Sequence, residues 1–287
     1  MNLKNIHGLV LILRIDQWYK NLFIFLALFF SLNLLNPLLF GKTFIGFIIL
    51  ILISSANYVL NDLFDENRDK HCPEKQNRPL VSKLIKRKTA FALFLVLLSL
   101  SLIFSLLINI YFFLCCLGLF VLTSLYTFYF KNLPFFDFTL ISLNFVLRTL
   151  AGGFIIGFPL GVGIIGGVFA ISCFLILCKR YGEKIIFGKK GAEYRPVLKY
   201  YSEDLLISLI RFFLFFLTGI FIVSSLIYYK YRLFWTIPIF IFILLRYYYL
   251  VRNSKIIVTP NSVLNDKYLL TSEIIFLISS ALLMGYK

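Results

Sequence analysis

Nine long apolar runs dominate this 287-residue sequence and restrict what it can fold into. They lie at 21–40, 43–61, 89–109, 111–130, 138–157, 164–180, 206–228, 232–250 and 269–286. Each is close to the roughly 20 apolar residues that a helix needs to cross a bilayer. Because lipid offers no hydrogen-bond partner to exposed backbone groups, such spanning segments must be helical. The sequence therefore predicts an all-α polytopic membrane protein with nine transmembrane helices, forming one domain over residues 1–287.

Positive charge is distributed unevenly among the predicted loops. The formal net charge is +16, and 23 of the 29 Lys and Arg residues lie in five places: the N-terminal segment, the 62–88 loop, Lys131, the 179–199 loop and the 246–267 stretch. The protein is expected in the cell (inner) membrane. The positive-inside rule then places its N-terminus and long loops in the cytoplasm and its C-terminus on the outer side. Because the basic excess follows topology, nucleic acid is not an expected partner, whereas the bilayer is.

Four carboxylates crowd into the segment Asn61–Asp69, which reads NDLFDENRD and directly follows an apolar run. If the helix continues through it, Asp62, Asp65 and Asp69 lie within about 60° of one face. Acids crowded at a membrane boundary repel each other unless a cation joins them. Oxygen ligands of this kind suit Mg²⁺, which often sits between carboxylates and substrate phosphates. A magnesium site is predicted here; a solvated acidic loop is the alternative.

Arg148 differs from the other cations because it lies inside an apolar span. An intramembrane Arg normally has an anionic partner or a water-filled cavity. A bound phosphate and a structural ion pair are the two interpretations of this residue. Further bases are predicted to share one cytoplasmic rim with the acids: Lys20, Arg78, Lys131, Lys179, Arg180 and Lys184. Carboxylates that hold Mg²⁺ and cations that neutralise phosphate oxygens together fit a diphosphate ester.

Three other patterns are interpreted as structural. The five cysteines form no CxxC pair and are predicted to be reduced, with Cys72 the accessible one. The glycine-rich segment 152–167 predicts close helix packing, with a phosphate-binding role as the alternative. Ser202, followed by two acids, is typical of a helix N-cap. None of these patterns requires a catalytic explanation.

Several separated segments together resemble a known family. NDLFDENRD resembles the NDxxDxxxD motif of the UbiA superfamily of intramembrane prenyltransferases, whose nine-helix bundle has its active site at the cytoplasmic side. The decaprenyl-phosphate phosphoribosyltransferase branch is similar over further segments: Leu13–Asn21, Leu125–Phe138, Phe145–Gly153, Leu177–Glu183 and Arg246–Val251. Aromatic-acceptor members carry a second aspartate-rich motif where this sequence reads KRYGEK from Lys179. That departure favours the phosphoribosyl branch.

The resemblance implies a reaction and a role for each candidate residue. Phosphoribosyl pyrophosphate would be the donor and a polyprenyl phosphate the acceptor, with Mg²⁺ held on the pyrophosphate by Asp62, Asp65 and Asp69. Asn61 would support the metal site. The expected substrate-binding residues are Lys20, Arg78, Tyr126, Lys131, Arg148, Lys179, Arg180 and Lys184. Transfer of an isoprenyl group to an aromatic acceptor is the alternative activity, and a transporter or channel is the alternative from another class.

Overall fold

The computed structural model describes residues 3–70, 76–188, 195–228, 231–253 and 266–285, and within these ranges the regular structure is entirely helical. The α-helices are α1 (Leu3–Leu13), α2 (Leu26–Phe30), α3 (Pro37–Asp69), α4 (Arg87–Ile108), α5 (Ile110–Phe128), α6 (Phe136–Ile156), α7 (Val162–Phe187), α8 (Glu203–Tyr228), α9 (Ile237–Asn253) and α10 (Lys267–Gly285). Segments of 3₁₀-helix cover Ile15–Phe25, Phe130–Asn132, Pro196–Lys199 and Arg232–Thr236.

Eight helices among the described residues are long and apolar enough to cross a membrane. They correspond to the second through ninth predicted runs, so an all-helical membrane protein is confirmed, whereas the count of nine spans is not. The predicted first run, 21–40, was wrong as a single helix. It contains the end of the 3₁₀ segment, the short α2, a turn at residues 31–36 and the start of α3.

Asparagine side chains explain the break at residues 31–36. Asn33 donates its side-chain amide to the backbone carbonyl of Ser31, an alternative to continuing the helix. Asn36 then accepts hydrogen bonds from the backbone N–H groups of Leu38 and Leu39, which have no partner inside the first turn of α3. Pro37 follows at the first helical position, where its missing N–H costs nothing. A local cap therefore divides an apolar run that looks continuous.

The chain divides into two compact units. The first contains residues 1–130 and 144–159, and α3 is its centre, packing against α1, α4, α5 and the 3₁₀ segment Ile15–Phe25. Its buried apolar residues form two clusters, one around Ile53 and Phe112 and another around Val59 and Phe94. A free cysteine pair, Cys115 and Cys116, is buried in the first of these clusters, as predicted.

The second unit contains residues 131–143 and 160–287. Its α7 and α8 pack along each other over a core that also takes Phe240 and Leu244 from α9. Phe221 stacks on Phe240 with ring centroids 4.4 Å apart. The predicted cap is confirmed, because Ser202 Oγ accepts a hydrogen bond from the backbone N–H of Leu205 at 3.1 Å.

The other two described cysteines are also buried. Cys173 and Cys178 are free and buried in the core of the second unit. Their burial agrees with their interpretation as reduced, unreactive small residues. Cys72 lies outside the described residues, so its predicted accessibility stays a prediction.

Gly152 brings α6 close to the backbone of the 3₁₀ segment Ile15–Phe25. A Cβ atom added there would lie 2.0 Å from the backbone oxygen of Ile24 and 3.3 Å from the Cβ of Ala27. No side chain can occupy that space, so α6 needs a glycine at this position to pack against Ile24. This agrees with the close helix packing predicted for the glycine-rich segment 152–167. Gly157 has a different role, since its φ of +68° ends α6 in the left-handed region.

We predict that Gly152→Ala destabilises the protein by about 1–3 kcal/mol or more, because the contact is with backbone and cannot be relieved by a rotamer change. The measurement is thermal unfolding of the purified protein in detergent. Gly41→Ala is the matched control, since Gly41 lies in α3 with nothing within 4 Å of the added Cβ. Equal unfolding temperatures for the two variants would contradict the packing argument.

Candidate functional site

The last turns of α3 place two buried carboxylates at one end of the first unit. The helix continues without a break to Asp69, as the predicted acidic face requires. Asp62 and Asp69 lie two helical turns apart and are only 3% and 1% exposed. Buried carboxylates need a cation or hydrogen-bond donors, because desolvation strongly disfavours an isolated charge.

Arg78 supplies a cation to both carboxylates. Its Nη1 atom donates to Asp62 Oδ1 at 3.1 Å and also to Asp69 Oδ2. The Arg78 side chain is 22% exposed, so the pair is open to solvent on one side. Sequence reasoning assigned Arg78 to substrate phosphate; the structure shows its guanidinium on the acidic face of α3. The Nη1 atom of Arg78 therefore contacts two of the three predicted metal ligands, Asp62 and Asp69.

Arg14 is a site residue that sequence reasoning missed. Its Nη2 donates to Asp62 Oδ1 at 2.5 Å, and its guanidinium carbon lies 5.1 Å from the ring centroid of Tyr58. The backbone of Arg14 has φ 51° and ψ 58°, a left-handed conformation that is costly for a residue with a side chain. The sequence signal for Arg14 is its place in the segment Leu13–Asn21, which carries part of the family resemblance.

These groups surround a cleft of about 320 Å³ in the first unit. Two guanidinium groups and a buried carboxylate face this space, which therefore suits a ligand that carries anionic oxygens and a bound cation. Its size is near the lower end of small-molecule sites. The lining residues are Leu11, Arg14, Asp16, Gln17, Asp62, Asn77, Arg78 and Pro79.

The carboxylates at the end of α3 fit a magnesium ion only in part. Within the described ranges, no group of three or more His, Cys, Asp or Glu side chains is gathered closely enough to hold a metal. The three-aspartate ligand set therefore stays a prediction. Two carboxylates are nevertheless bridged by one cationic nitrogen, that of Arg78. Since Mg²⁺ is commonly bound by one or two carboxylates plus substrate phosphates and water, Asp62 and Asp69 fit such an ion.

The fourth acid of the segment has a separate role. Glu66 pairs with Lys70, directly after the end of α3, at 3.1 Å, and with Arg87 of α4 at 2.7 Å. Both bonds lie near the surface, since the Lys70 and Arg87 side chains are 45% and 64% exposed, and ion pairs there contribute little to stability. Glu66 therefore connects α3 to the first turn of α4 and is not part of the cleft lining.

Arg148 is buried at 8% exposure and bound to neutral oxygens. Its Nε donates to Asn21 Oδ1 at 2.9 Å, its Nη1 to the backbone oxygen of Asn144 at 2.9 Å, and its Nη2 to Ser54 Oγ at 3.4 Å. No carboxylate pairs with it among the described ion pairs, so the structural ion pair is not supported. The phosphate role of Arg148 stays a prediction.

In the second unit, Arg180 lies in a closed network of charged groups. Its Nε donates to Asp137 Oδ2 at 2.8 Å and its Nη1 to Glu183 Oε2 at 3.2 Å. The side chains of all three residues are at most 2% exposed. Arg195 also pairs with Glu183, at 3.0 Å. In the structure, the guanidinium of Arg180 donates to two carboxylates, those of Asp137 and Glu183. Binding of a substrate phosphate by Arg180 stays a prediction.

Tyr201 completes this network. Its hydroxyl donates to Asp137 Oδ1 at 2.5 Å and accepts a hydrogen bond from the backbone N–H of Phe135 at 2.8 Å. Burial, followed by the hydrogen bond to the Asp137 carboxylate, raises the pKa of the Tyr201 phenol. The phenol therefore remains a donor, and both Asp137 oxygens have partners. Neither Asp137 nor Tyr201 was among the predicted site residues.

The remaining predicted residues belong to one unit or the other. In the second unit, Lys179 is exposed on α7, and Lys184 donates to the backbone oxygen of Leu198 at 3.1 Å. Lys131 is half-buried in the 3₁₀ segment Phe130–Asn132. Half-buried residues of the first unit are Lys20, Asn61, Asp65 and Tyr126. Of the predicted set, the structure brings Asp62, Asp69 and Arg78 into direct contact.

We predict that Tyr201→Phe lowers the stability of the protein by about 1–3 kcal/mol, because it leaves an oxygen of the buried Asp137 carboxylate without the phenol that donates to it. The shift is read from the thermal unfolding midpoint. Tyr200→Phe removes the same hydroxyl from the neighbouring residue, whose side chain is 59% exposed, and should leave the midpoint unchanged. A midpoint that is the same in both variants would show that the Asp137 network does not stabilise the fold.

Comparisons with known proteins give a consistent result. The family model of the UbiA prenyltransferase family matches residues 21–277. A decaprenyl-phosphate phosphoribosyltransferase of Corynebacterium glutamicum is 29% identical over 203 residues, which cover 69% of this chain and 61% of that protein. The corresponding protein of Mycolicibacterium smegmatis is 26% identical over 208 residues, covering 70% and 64%. The chain thus spans less than two thirds of the length of these relatives.

A solved structure shows the fold. The UbiA homolog from Archaeoglobus fulgidus, bound to GPP and Mg²⁺, matches with a TM-score of 0.72 at 20% identity. The match covers 97% of this chain and 100% of that one. At this identity the likeness extends to the fold alone, and it agrees with the all-helical architecture described above.

Proposed function

We propose, since the chain belongs to the UbiA prenyltransferase family, that it is a membrane transferase acting on phosphoribosyl pyrophosphate. It moves the 5-phosphoribosyl group to a polyprenyl phosphate and releases pyrophosphate. The observation that carries the proposal is the cleft in which Arg14 and Arg78 both contact the buried Asp62. Cations and carboxylates in one small space are what a magnesium-bound diphosphate needs. The decaprenyl-phosphate phosphoribosyltransferase relatives support the choice of donor and acceptor.

Asp62 and Asp69, with Asp65 and Asn61 on the same end of α3, would hold the Mg²⁺, which neutralises the charge that develops on pyrophosphate. Arg78 now occupies the position between Asp62 and Asp69. With Mg²⁺ held by these carboxylates, the guanidinium of Arg78 would be available to bind a phosphate oxygen of the donor. A planar guanidinium suits this role because it binds phosphate through two parallel hydrogen bonds.

Cations of the second unit are assigned to the anionic acceptor. Lys179 is an exposed residue of α7 and precedes the buried Arg180 in the chain. We assign Lys179, Lys131 and Lys184 to the phosphate of the lipid. Arg180 positions this part of α7 through its bonds to Asp137 and Glu183. The basic sequence in place of a second aspartate-rich motif suits a phosphate and not another metal ion.

The reaction is a substitution at the anomeric carbon. An ionised oxygen of the lipid phosphate forms the new C–O bond as the bond to pyrophosphate breaks, and the bonding electrons leave with pyrophosphate. Because the attacking oxygen is already ionised, the reaction needs no general base. The protein contributes orientation of the two reactants and electrostatic stabilisation of the departing charge.

The topology proposed for this enzyme keeps the nine predicted crossings, and the eight long apolar helices of the described residues supply the second through ninth of them. We propose that the two units form one catalytic domain and that the N-terminus and the active-site loops lie in the cytoplasm.

The activity is tested with purified full-length protein, Mg²⁺, phosphoribosyl pyrophosphate labelled in the ribose and a polyprenyl phosphate. Label is expected to enter the lipid phase in proportion to the pyrophosphate released. If label stays in the aqueous phase while an isoprenyl diphosphate is consumed with an aromatic acceptor, the protein has the alternative prenyltransferase activity. Release of pyrophosphate without labelled lipid would contradict both transfers.

In the same assay, Asp69→Asn should lower turnover by on the order of 100-fold, because it removes a charged group that binds the metal–pyrophosphate. The isosteric amide keeps the shape of the side chain. Glu66→Gln is the control, because Glu66 lies in the same acidic segment but bonds Lys70 and Arg87 at the surface. It should keep activity within about threefold, consistent with the small energies of surface pairs. Equal losses in both variants would remove the specific role of Asp69.

Arg14 gives a separate prediction about donor binding. Arg14→Gln should raise the KM for phosphoribosyl pyrophosphate by roughly 10-fold to 100-fold, since a charge-assisted hydrogen bond contributes about 1.5–3 kcal/mol. Arg14→Lys should recover part of this loss, because it restores the charge without the planar fork. Steady-state kinetics at saturating polyprenyl phosphate provides the measurement. An unchanged KM in Arg14→Gln would assign Arg14 to structure alone.

A further inference from the structure

A second concave feature of the first unit is an apolar groove between the ends of α3 and α5 and the start of α4. Its volume is about 400 Å³. It lies on the face of α3 roughly opposite to Asp62 and Asp69, because Leu60 and Phe64 are about 160–200° around the helix from Asp62. We call this feature the flank groove. Its lining residues are Leu60, Leu63, Phe64, Arg87, Lys88, Phe91 and Phe128.

Aromatic rings form the walls of the flank groove. Phe64 and Phe128 meet edge to face with centroids 4.7 Å apart, which joins α3 to α5 at this point. Phe64, Phe91 and Phe128 remain 55%, 52% and 37% exposed. Exposed rings around a concave apolar space suit a hydrocarbon chain, because they offer it close van der Waals packing and require no hydrogen bond from it.

Two cations stand at the polar end of the flank groove. Arg87 and Lys88 are the first residues of α4 and are both exposed. The bond from Arg87 Nη1 to Glu66 Oε2 holds the guanidinium beside the groove, while 64% of the side chain stays accessible. Glu66 offsets one positive charge, so the end of the groove keeps a net positive charge.

We propose that the flank groove binds an anionic phospholipid of the surrounding bilayer, independently of the transferase substrates. One acyl chain lies along Phe64, Phe91 and Phe128, and the phosphate contacts Arg87 and Lys88. The charge pattern selects this occupant: apolar walls suit the chain, and cations at one end suit the phosphate. Lys and Arg at the ends of membrane helices attract anionic headgroups in this way. A free phosphate ion would leave the aromatic walls uncovered.

The position of the groove gives this lipid a structural consequence. The residues that line it on α3 alternate with those that form the acidic face, within the same two turns. A bound lipid therefore packs against the part of α3 that carries Asp62 on its other side. It also covers the contact of Phe64 with Phe128, which connects α3 to α5.

The test uses the full-length protein in nanodiscs of phosphatidylcholine that contain a small fraction of phosphatidylglycerol with a photoreactive acyl chain. After irradiation, labelled residues are identified by mass spectrometry. We expect labelling of the peptides that carry Phe64, Phe91 and Phe128. A phosphatidylcholine probe with the same chain should label them several-fold less, because each nearby cation contributes on the order of fivefold to anionic lipid binding.

Variants separate the groove from general charge attraction. The double variant Arg87→Gln/Lys88→Gln should be labelled at least fivefold less than the unchanged protein. Lys83→Gln/Lys86→Gln removes the same formal charge from residues that do not line the groove and should keep labelling within twofold. Lys88→Gln alone preserves the Arg87–Glu66 bond and should still reduce labelling, so disruption of the α3–α4 contact is not the cause.

Three results would overturn the proposal. The first is equal labelling of the groove by the two probes, which would show no headgroup selection. The second is full labelling of Arg87→Gln/Lys88→Gln. The third is displacement of the phosphatidylglycerol probe by a polyprenyl phosphate at equimolar concentration, which would assign the groove to the acceptor lipid. Because labelling is measured without turnover, failure here is distinguishable from failure of the proposed transferase activity.

Discussion

The burial of two carboxylates at the end of α3 is the constraint on which the described site depends. Asp62 and Asp69 are almost fully removed from solvent, so their charges require cations held at fixed positions. Arg78 reaches them from the segment after α3, and Arg14 reaches Asp62 from the start of the chain. These bonds connect three stretches of chain around one cleft. The left-handed backbone of Arg14 is tolerated because packing and the ion pair hold it there.

The second unit also buries carboxylates, and there the paired charges are almost completely shielded from solvent. Asp137, Arg180 and Glu183 are at most 2% exposed and satisfy one another, with Tyr201 supplying a further donor. Breaking a buried pair of this kind is costly because the remaining charge has no solvent to replace its partner. The pairs around Asp62 are different, since the arginines there are about one quarter exposed. A network open to a cleft suits ligand exchange, whereas a closed one suits orientation of a helix.

Much of the helical architecture was predictable because apolar periodicity and length are local properties. The predicted run 111–130 agrees closely with α5, Ile110–Phe128, and the acidic segment extends the helix of run 43–61 to Asp69. The failure at 21–40 was also local in origin. Hydropathy averages over a window and does not register the caps formed by Asn33 and Asn36, each of which depends on one or two hydrogen bonds.

By itself, the sequence determined that the chain is helical and membrane-embedded and that Asp62 and Asp69 share a helix face, because helical geometry repeats every 3.6 residues. Only the tertiary structure decided which cations meet them. Arg14 is 48 positions from Asp62, and Arg148 finds Asn21 at a separation of 127. Pairings over such distances depend on how helices pack, and that information is spread over the whole core instead of residing in any motif.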